Sequence, residues 1–229
     1  MPEQLDLNHW PRRSAFEFFR GFDKPYFNVC TRVDVTALKP ALQQCGRGSV
    51  SLACHYLVMA LANAIEPFAY RLQDGKVWLH RPLHLSTTVL LPDESFGFVY
   101  LEHAPSYPAF VDAALPVWQA ARAGHLGFEP RQDAQALLHC TTLPWLHFSS
   151  FSHARQWGRE DSVPKFAFGR IDEDSHAGSH VGTARRWMPL SVEVHHALMD
   201  GLAVGRFVQG FEAAMKHPLP WLMGAPLRL

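Results

Sequence analysis

The chain has 229 residues, of which 48% are hydrophobic, enough for a substantial core. Its 21 basic and 21 acidic residues cancel, which argues against nucleic acid or an anionic membrane as the main partner. No apolar run reaches the roughly 18 residues that a membrane-spanning helix needs, and the polar opening MPEQLDLNHWPRR does not read as a signal peptide. The four cysteines, Cys30, Cys45, Cys54 and Cys140, show no CxxC spacing. They read as buried reduced thiols, which fits the cytoplasm. His176 and His180 have a metal-like gap, but they lie in the polar stretch DEDSHAGSH, and no HExxH motif accompanies them. No bound metal is expected.

Neither repeats nor a low-complexity linker divide the chain, so residues 1–229 are expected to form one domain. Residues Ser14 to Phe19 have a helical pattern. Tyr26 to Val35 alternates, with Phe27, Val29, Thr31, Val33 and Val35 on one face, which predicts a strand. Thr36 is placed to cap a short helix ending near Gly46, and Ser49 to cap a more apolar one through about Ala64. Val77 to His80 and Leu83 to Leu91 read as strands, and Pro108 to Ala123 as an amphipathic helix. Ala136 to Thr142 and Leu146 to Phe151 are apolar strand candidates on either side of Pro144-Trp145. Lys165 to Ile171 is another strand, and 172–186 reads as a polar loop. Leu190, Val192 and Val194 alternate with Ser191, Glu193 and His195, which predicts a strand with one buried face. Beyond Asp200-Gly201, the spacing of Val204, Phe207, Val208, Phe211 and Met215 is helical. Strands and helices without regular alternation make this an α+β fold.

The chemistry concentrates in HHALMDG, residues 195–201. The alternation carries His196 to the side of Leu190, Val192 and Val194. An imidazole in apolar surroundings is disfavoured in its charged form, and a neutral imidazole is what a general base requires. A core histidine bonded to nearby backbone fits the same pattern. Asp200 suits either a cap of the following helix or a buried carboxylate paired with an arginine.

HHALMDGLAVGRF resembles the HHxxxDG signature of the chloramphenicol acetyltransferase family. HWPRRSAFEFF, RVDVTALKPAL, TLPWLHFSSF and MPLSVEVHH resemble further segments of that family, in order and over nearly the whole chain. The resemblance implies a two-layer fold with a mixed sheet and packed helices. It implies an O-acetyltransferase that moves acetyl directly from acetyl-CoA to a hydroxyl of chloramphenicol, hence antibiotic resistance. His196 falls at the catalytic base, and Thr141 at a hydroxyl that binds the oxyanion. Arg12 and Asp200 fall at a structural ion pair, and Trp145 near the CoA arm. Phe18, Phe27, Phe96, Phe128 and Thr87 fall at acceptor-pocket positions with the family's residue types, while Phe19 replaces a tyrosine there. Asp23, His153 and Arg155 fall where better-known members carry aliphatic side chains, and Ala167 replaces a threonine. A homotrimer with active sites between subunits is implied as well. A related enzyme with another hydroxyl acceptor, or a non-catalytic trimeric binding protein of the same fold, are the competing readings.

Overall fold

The computed structural model describes residues 2–124, 131, 133–155, 158–174 and 184–227. In chain order its elements are β1 (Glu3–Gln4), α1 (Arg13–Phe19), β2 (Tyr26–Asp34), α2 (Leu38–Cys45), α3 (Val50–Ala64), β3 (Tyr70–Gln73) and β4 (Lys76–Leu79). There follow β5 (His84–Leu90), β6 (Phe96–Leu101), α4 (Tyr107–Arg122), β7 (Leu137–Thr142), β8 (Lys165–Phe168), β9 (Asp172–Asp174), β10 (Arg185–His195), α5 (Gly201–Lys216) and α6 (Pro218–Leu222).

The main sheet has the order β2-β10-β8-β7-β5-β6, with β9 also paired to β10. Its neighbours run antiparallel except that β7 is parallel to both β5 and β8. One face is covered by helices. Val33, Leu85, Leu138, Cys140, Phe166, Leu190, Val192 and Val194 meet Leu57, Val58, Phe110, Val204, Phe207 and Phe211 in a single core. Every one of those strand residues is followed by a side chain on the opposite face. A smaller antiparallel sheet, β1-β4-β3, packs with α1 through Trp10, Phe16, Tyr70 and Val77. The result is the expected α+β fold, a mixed sheet with packed helices.

Local chemistry accounts for most element ends. Ser49 accepts a hydrogen bond from Leu52 N and caps α3, and Ser106 does the same for α4 through Ala109 N. Thr36, expected to cap α2, does not. Asp34 Oδ1 accepts from both its amide and its hydroxyl, and the Thr36 hydroxyl in turn accepts from Arg186 N, joining β2 to β10. Leu146 to Phe151 is not a strand. Leu146 N closes a turn onto Leu143 O, and Leu146 O is taken by Arg170 N. Four strands, β1, β3, β6 and β9, go beyond the sequence expectation. β3 is joined to β4 through Asp74-Gly75, both at positive φ, a hairpin signal present in the sequence. β6, FGFVYL, pairs with β5 in clear alternation. The ends of the expected polar loop 172–186 pair with each other, Arg185 opposite Asp174. Cys54 and Cys140 are buried thiols, but Cys30 and Cys45 are only half-buried.

Candidate active site

His196 follows the last residue of β10 and keeps the strand's line by donating its amide to Pro25 O at 2.6 Å. Its half-buried ring stacks on Phe19, with centroids 3.9 Å apart and planes 15° apart, and meets Phe27 at 4.7 Å. His196 Nδ1 lies 3.1 Å from the carbonyl oxygen of Met199. A carbonyl only accepts, so in the neutral ring Nδ1 carries the proton and Nε2 the lone pair. The backbone thus holds the ring, as one sequence reading of His196 has it, and the same bond is compatible with the other, the general base.

The turn after His196 is held twice by one carboxylate. Asp200 Oδ1 accepts from Leu202 N and Ala203 N, capping α5, while Oδ2 accepts from Arg12 Nη1. Burial pushes the Asp200 carboxyl up, but the Arg12 hydrogen bond and the two amides outweigh it and hold the group below its ordinary value. The pair is less enclosed than expected. The Arg12 side chain is largely buried, whereas that of Asp200 is 45% exposed. Phe18, Phe19 and Phe22 form a triad with centroids 5.0–5.3 Å apart, and Phe18 and Phe22 are exposed beside His196's partner Phe19. Phe22 was not singled out by the sequence pattern. Asp23, next along the chain, is exposed.

Thr141 occupies a different place. Leu138 and Cys140 point into the helix-covered core, so His139 and Thr141 stand on the outward face of β7. They line a cavity of about 1060 Å³ together with Phe96 and Trp145, large enough for two small ligands. Phe96 and Trp145 are exposed side chains at its wall. The turn that presents Trp145 is pressed against Gly169, where a Cβ would stand 2.8 Å from Leu146 O and 2.9 Å from Pro189 Cγ. Thr87 does not reach the cavity. Alternation gives Ser86 and Thr88 to the lining and turns Thr87 inward at 0% exposure, where its hydroxyl meets His55 Nε2 at 2.8 Å. Phe128, like His176 and His180, lies outside the described residues.

Within one chain the two catalytic candidates do not meet. Thr141 pairs with Ala167 and Ala167 with Ser191, five residues before His196. Two strand spacings and five residues of rise separate the Cα atoms by on the order of 15–20 Å. They also serve opposite faces: Phe27, which touches the imidazole, pairs with Val194 of the helix-side core.

The segment between β7 and β8 covers the outward face with charges. Arg155 Nε donates to Glu193 Oε1 at 2.8 Å, its Nη1 lies 3.2 Å from Asp161 Oδ1, and its guanidinium sits 4.1 Å over the Tyr26 ring. Lys165 Nζ donates to Asp161 Oδ2 at 2.8 Å and to Ala154 O at 2.9 Å. Burial pushes the Glu193 carboxyl up, but His153 and Arg155 more than reverse this and hold it at about 2. Burial lowers His139 and His195 to about 4 each, assisted by Lys165 and Arg155 respectively. Position 155 is thus accommodated by pairing, while position 153 bonds Glu193 only through its backbone amide.

Among the described residues, no helix is long and apolar enough to cross a membrane. The Chloramphenicol acetyltransferase family model matches residues 2–212. A chloramphenicol acetyltransferase of Streptomyces acrimycini is 28% identical over 225 residues, covering 96% of this chain and 97% of that protein. Chloramphenicol acetyltransferase 2 of Escherichia coli is 25% identical, covering 90% and 92%. A solved chloramphenicol acetyltransferase structure superposes with a TM-score of 0.80 at 21% identity, over 94% of this chain and all of that one. The Azotobacter vinelandii dihydrolipoamide acetyltransferase shares the fold at a TM-score of 0.65 and 16% identity, over 91% of this chain and 88% of that one. With the family profile spanning nearly all of its length, the chain belongs to the chloramphenicol acetyltransferase family and is an acyltransferase.

Proposed function

We propose that this protein, acting as a single acyltransferase domain in a cytoplasmic homotrimer, transfers acetyl from acetyl-CoA to a hydroxyl of chloramphenicol and so confers resistance to it. The observation that carries this reading is the Nδ1 bond of His196 to Met199 O, which leaves Nε2 free to take the alcohol proton. The alcohol oxygen then attacks the thioester carbonyl. Thr141 donates its hydroxyl to the developing oxyanion, and the intermediate collapses as CoA thiolate leaves and takes the proton back from His196. No covalent acyl-enzyme is involved. Trp145 offers an aromatic wall to the CoA arm, and the Phe18–Phe19–Phe27 corner packs the acceptor.

The separation of His196 from Thr141 within one chain supports a site shared between neighbours, with His196 of one subunit facing Thr141 of the next. Mixed assemblies test this. His196→Ala and Thr141→Val chains, each inactive alone, should regain thiol release from acetyl-CoA with chloramphenicol when refolded together, because one interface then carries both intact groups. Activity no greater than that of the separate variants would exclude the shared site. Full activity of His196→Ala alone would exclude the base.

A further inference from the structure

Ser86, His139 and Lys165 on the cavity floor belong to one row of side chains. Register sets Ser86, His139, Lys165 and Glu193 side by side on β5, β7, β8 and β10. On a sheet face turned away from the helices such a row ordinarily stands in water. Here the segment between β7 and β8 covers it, and Lys165 and Glu193 are 6% and 5% exposed. The cover brings Arg155 and Asp161, so two cations face two carboxylates and the formal charges of these four cancel.

That pairing leaves hydrogen-bonding capacity unused. Lys165 spends two of its three N–H groups, on Asp161 and Ala154. The His153 side chain is 10% exposed, and neither ring nitrogen makes a hydrogen bond; Nδ1 stands 3.8 Å from Glu193, beyond bonding reach. His139, kept neutral by burial, holds one N–H and one lone pair without a hydrogen-bond partner among the described residues. All three side chains line the cavity. Buried polar groups in a folded protein are bonded with few exceptions; the His153 ring is such an exception, and with the spare N–H of Lys165 and the open ring nitrogens of His139 beside it on one cavity wall it marks a place that a ligand completes.

We propose that His139, His153 and Lys165 form a specificity subsite for a neutral, oxygen-bearing group (nitro, carbonyl or hydroxyl) on the part of the acceptor remote from its reacting hydroxyl. This rests on the acetyltransferase reading above. The charge balance selects a neutral group. A ligand cation would stand against Lys165, and a ligand carboxylate on His153 and Lys165 would face the Glu193 and Asp161 carboxylates directly behind them. The unspent N–H groups select oxygen. Each carboxylate keeps a partner when one of these side chains is replaced: Glu193 keeps Arg155 and the His153 amide, and Asp161 keeps Arg155.

The experiment uses acetyl-CoA and aryl alcohols that are unsubstituted or carry nitro, carboxamide, hydroxyl, ammonium or carboxylate at the distal ring position. For the wild type, the neutral polar members are expected to exceed the unsubstituted alcohol about tenfold or more in kcat/KM, through KM. His153→Leu and Lys165→Met should bring that ratio to within about threefold while kcat on the unsubstituted alcohol stays. His153→Gln, which restores a donor and an acceptor, should restore the preference, which a merely loosened loop would not. A wild type indifferent to the substituent, or one preferring a charged alcohol, overturns the subsite whatever the variants do. Absence of thiol release with every alcohol overturns the acetyltransferase reading itself.

Discussion

The two ends of the main sheet present opposite environments. Around His196 the partners are phenylalanine rings and backbone oxygen, with one ion pair at the rim. Around Thr141 the floor is imidazole and ammonium, backed by paired carboxylates under the segment that joins β7 to β8. The apolar corner holds a proton acceptor by shape and one hydrogen bond. In the proposed mechanism the polar cavity offers donors where charge develops and where an acceptor is told from its competitors. Each end lacks what the other supplies, which is why the proposed site is one shared between subunits.

Removing the reactive group from each end tests that division most severely. His196→Ala should lower kcat roughly 10²- to 10⁴-fold, the range expected for a lost general base. Thr141→Val should lower it roughly 10²- to 10³-fold, and Thr141→Ser should stay near wild type, since the donor is kept. Steady-state thiol release measures all three. A Thr141→Val enzyme within a few-fold of wild type would detach the cavity face from the chemistry.

The two ends also differ in how acid reaches them. His139 and His195 on the cavity face have folded pKa values lowered to about 4, against about 6.5 when unfolded. A depressed imidazole stays neutral in the fold while the unfolded chain takes a proton. Stability is therefore complete above about pH 6.5 and is lost as pH falls toward 4, by up to roughly 1.4 kcal/mol per pH unit for each group. Glu193, lowered to about 2, adds a second loss below its unfolded value. Urea midpoints between pH 7 and 4 should fall, and the slope should ease by about one proton in His139→Gln. An unchanged slope would mean that this imidazole is not held neutral.

The turn carrying Trp145 belongs to the cavity end and depends on a close approach. A methyl group at Gly169 would meet Leu146 O and Pro189 Cγ inside van der Waals distance. Gly169→Ala should cost about 1–3 kcal/mol and push Trp145 from its place. The KM for acetyl-CoA should rise more than the KM for the alcohol. Equal changes in both would show that the turn serves the fold and not the CoA arm.

Legibility follows the same divide. The His196 end is written in short-range terms: alternation up to Val194, the Asp200-Gly201 break, and the helical spacing from Val204 onward. Those patterns place the histidine, the cap and the helix without knowledge of the rest. Arg155–Glu193 joins residues 38 apart through a segment without periodicity, so no local pattern announces it. Thr87 fails for a related reason. A threonine in a strand suits either face, and only the partners Cys140 and His55 show that it turns inward. Leu146 to Phe151 has strand composition, but Pro144 and the Arg170 bond bend it into a turn.

The smallest expected effect distinguishes the two duties of Asp200 at the His196 end. Replacing it by asparagine keeps an oxygen for the amides of Leu202 and Ala203 but removes the charge opposite Arg12. A fully buried partner left alone would cost several kcal/mol. Asp200 is nearly half exposed, so water screens most of that penalty, and about 1 kcal/mol is expected. Asp200→Ala loses the cap as well, which adds roughly another 1 kcal/mol. Activity should follow geometry more than stability. Arg12 reaches from the segment before α1 to the turn after His196, and the stack of Phe19 on the imidazole depends on where α1 sits. Asp200→Asn should therefore lower kcat more than its stability loss suggests, with KM for the alcohol little changed. Urea unfolding gives the first quantity and steady-state kinetics the second. A kcat equal to wild type would confine the pair to capping and leave the position of His196 to Phe19 and Met199 alone.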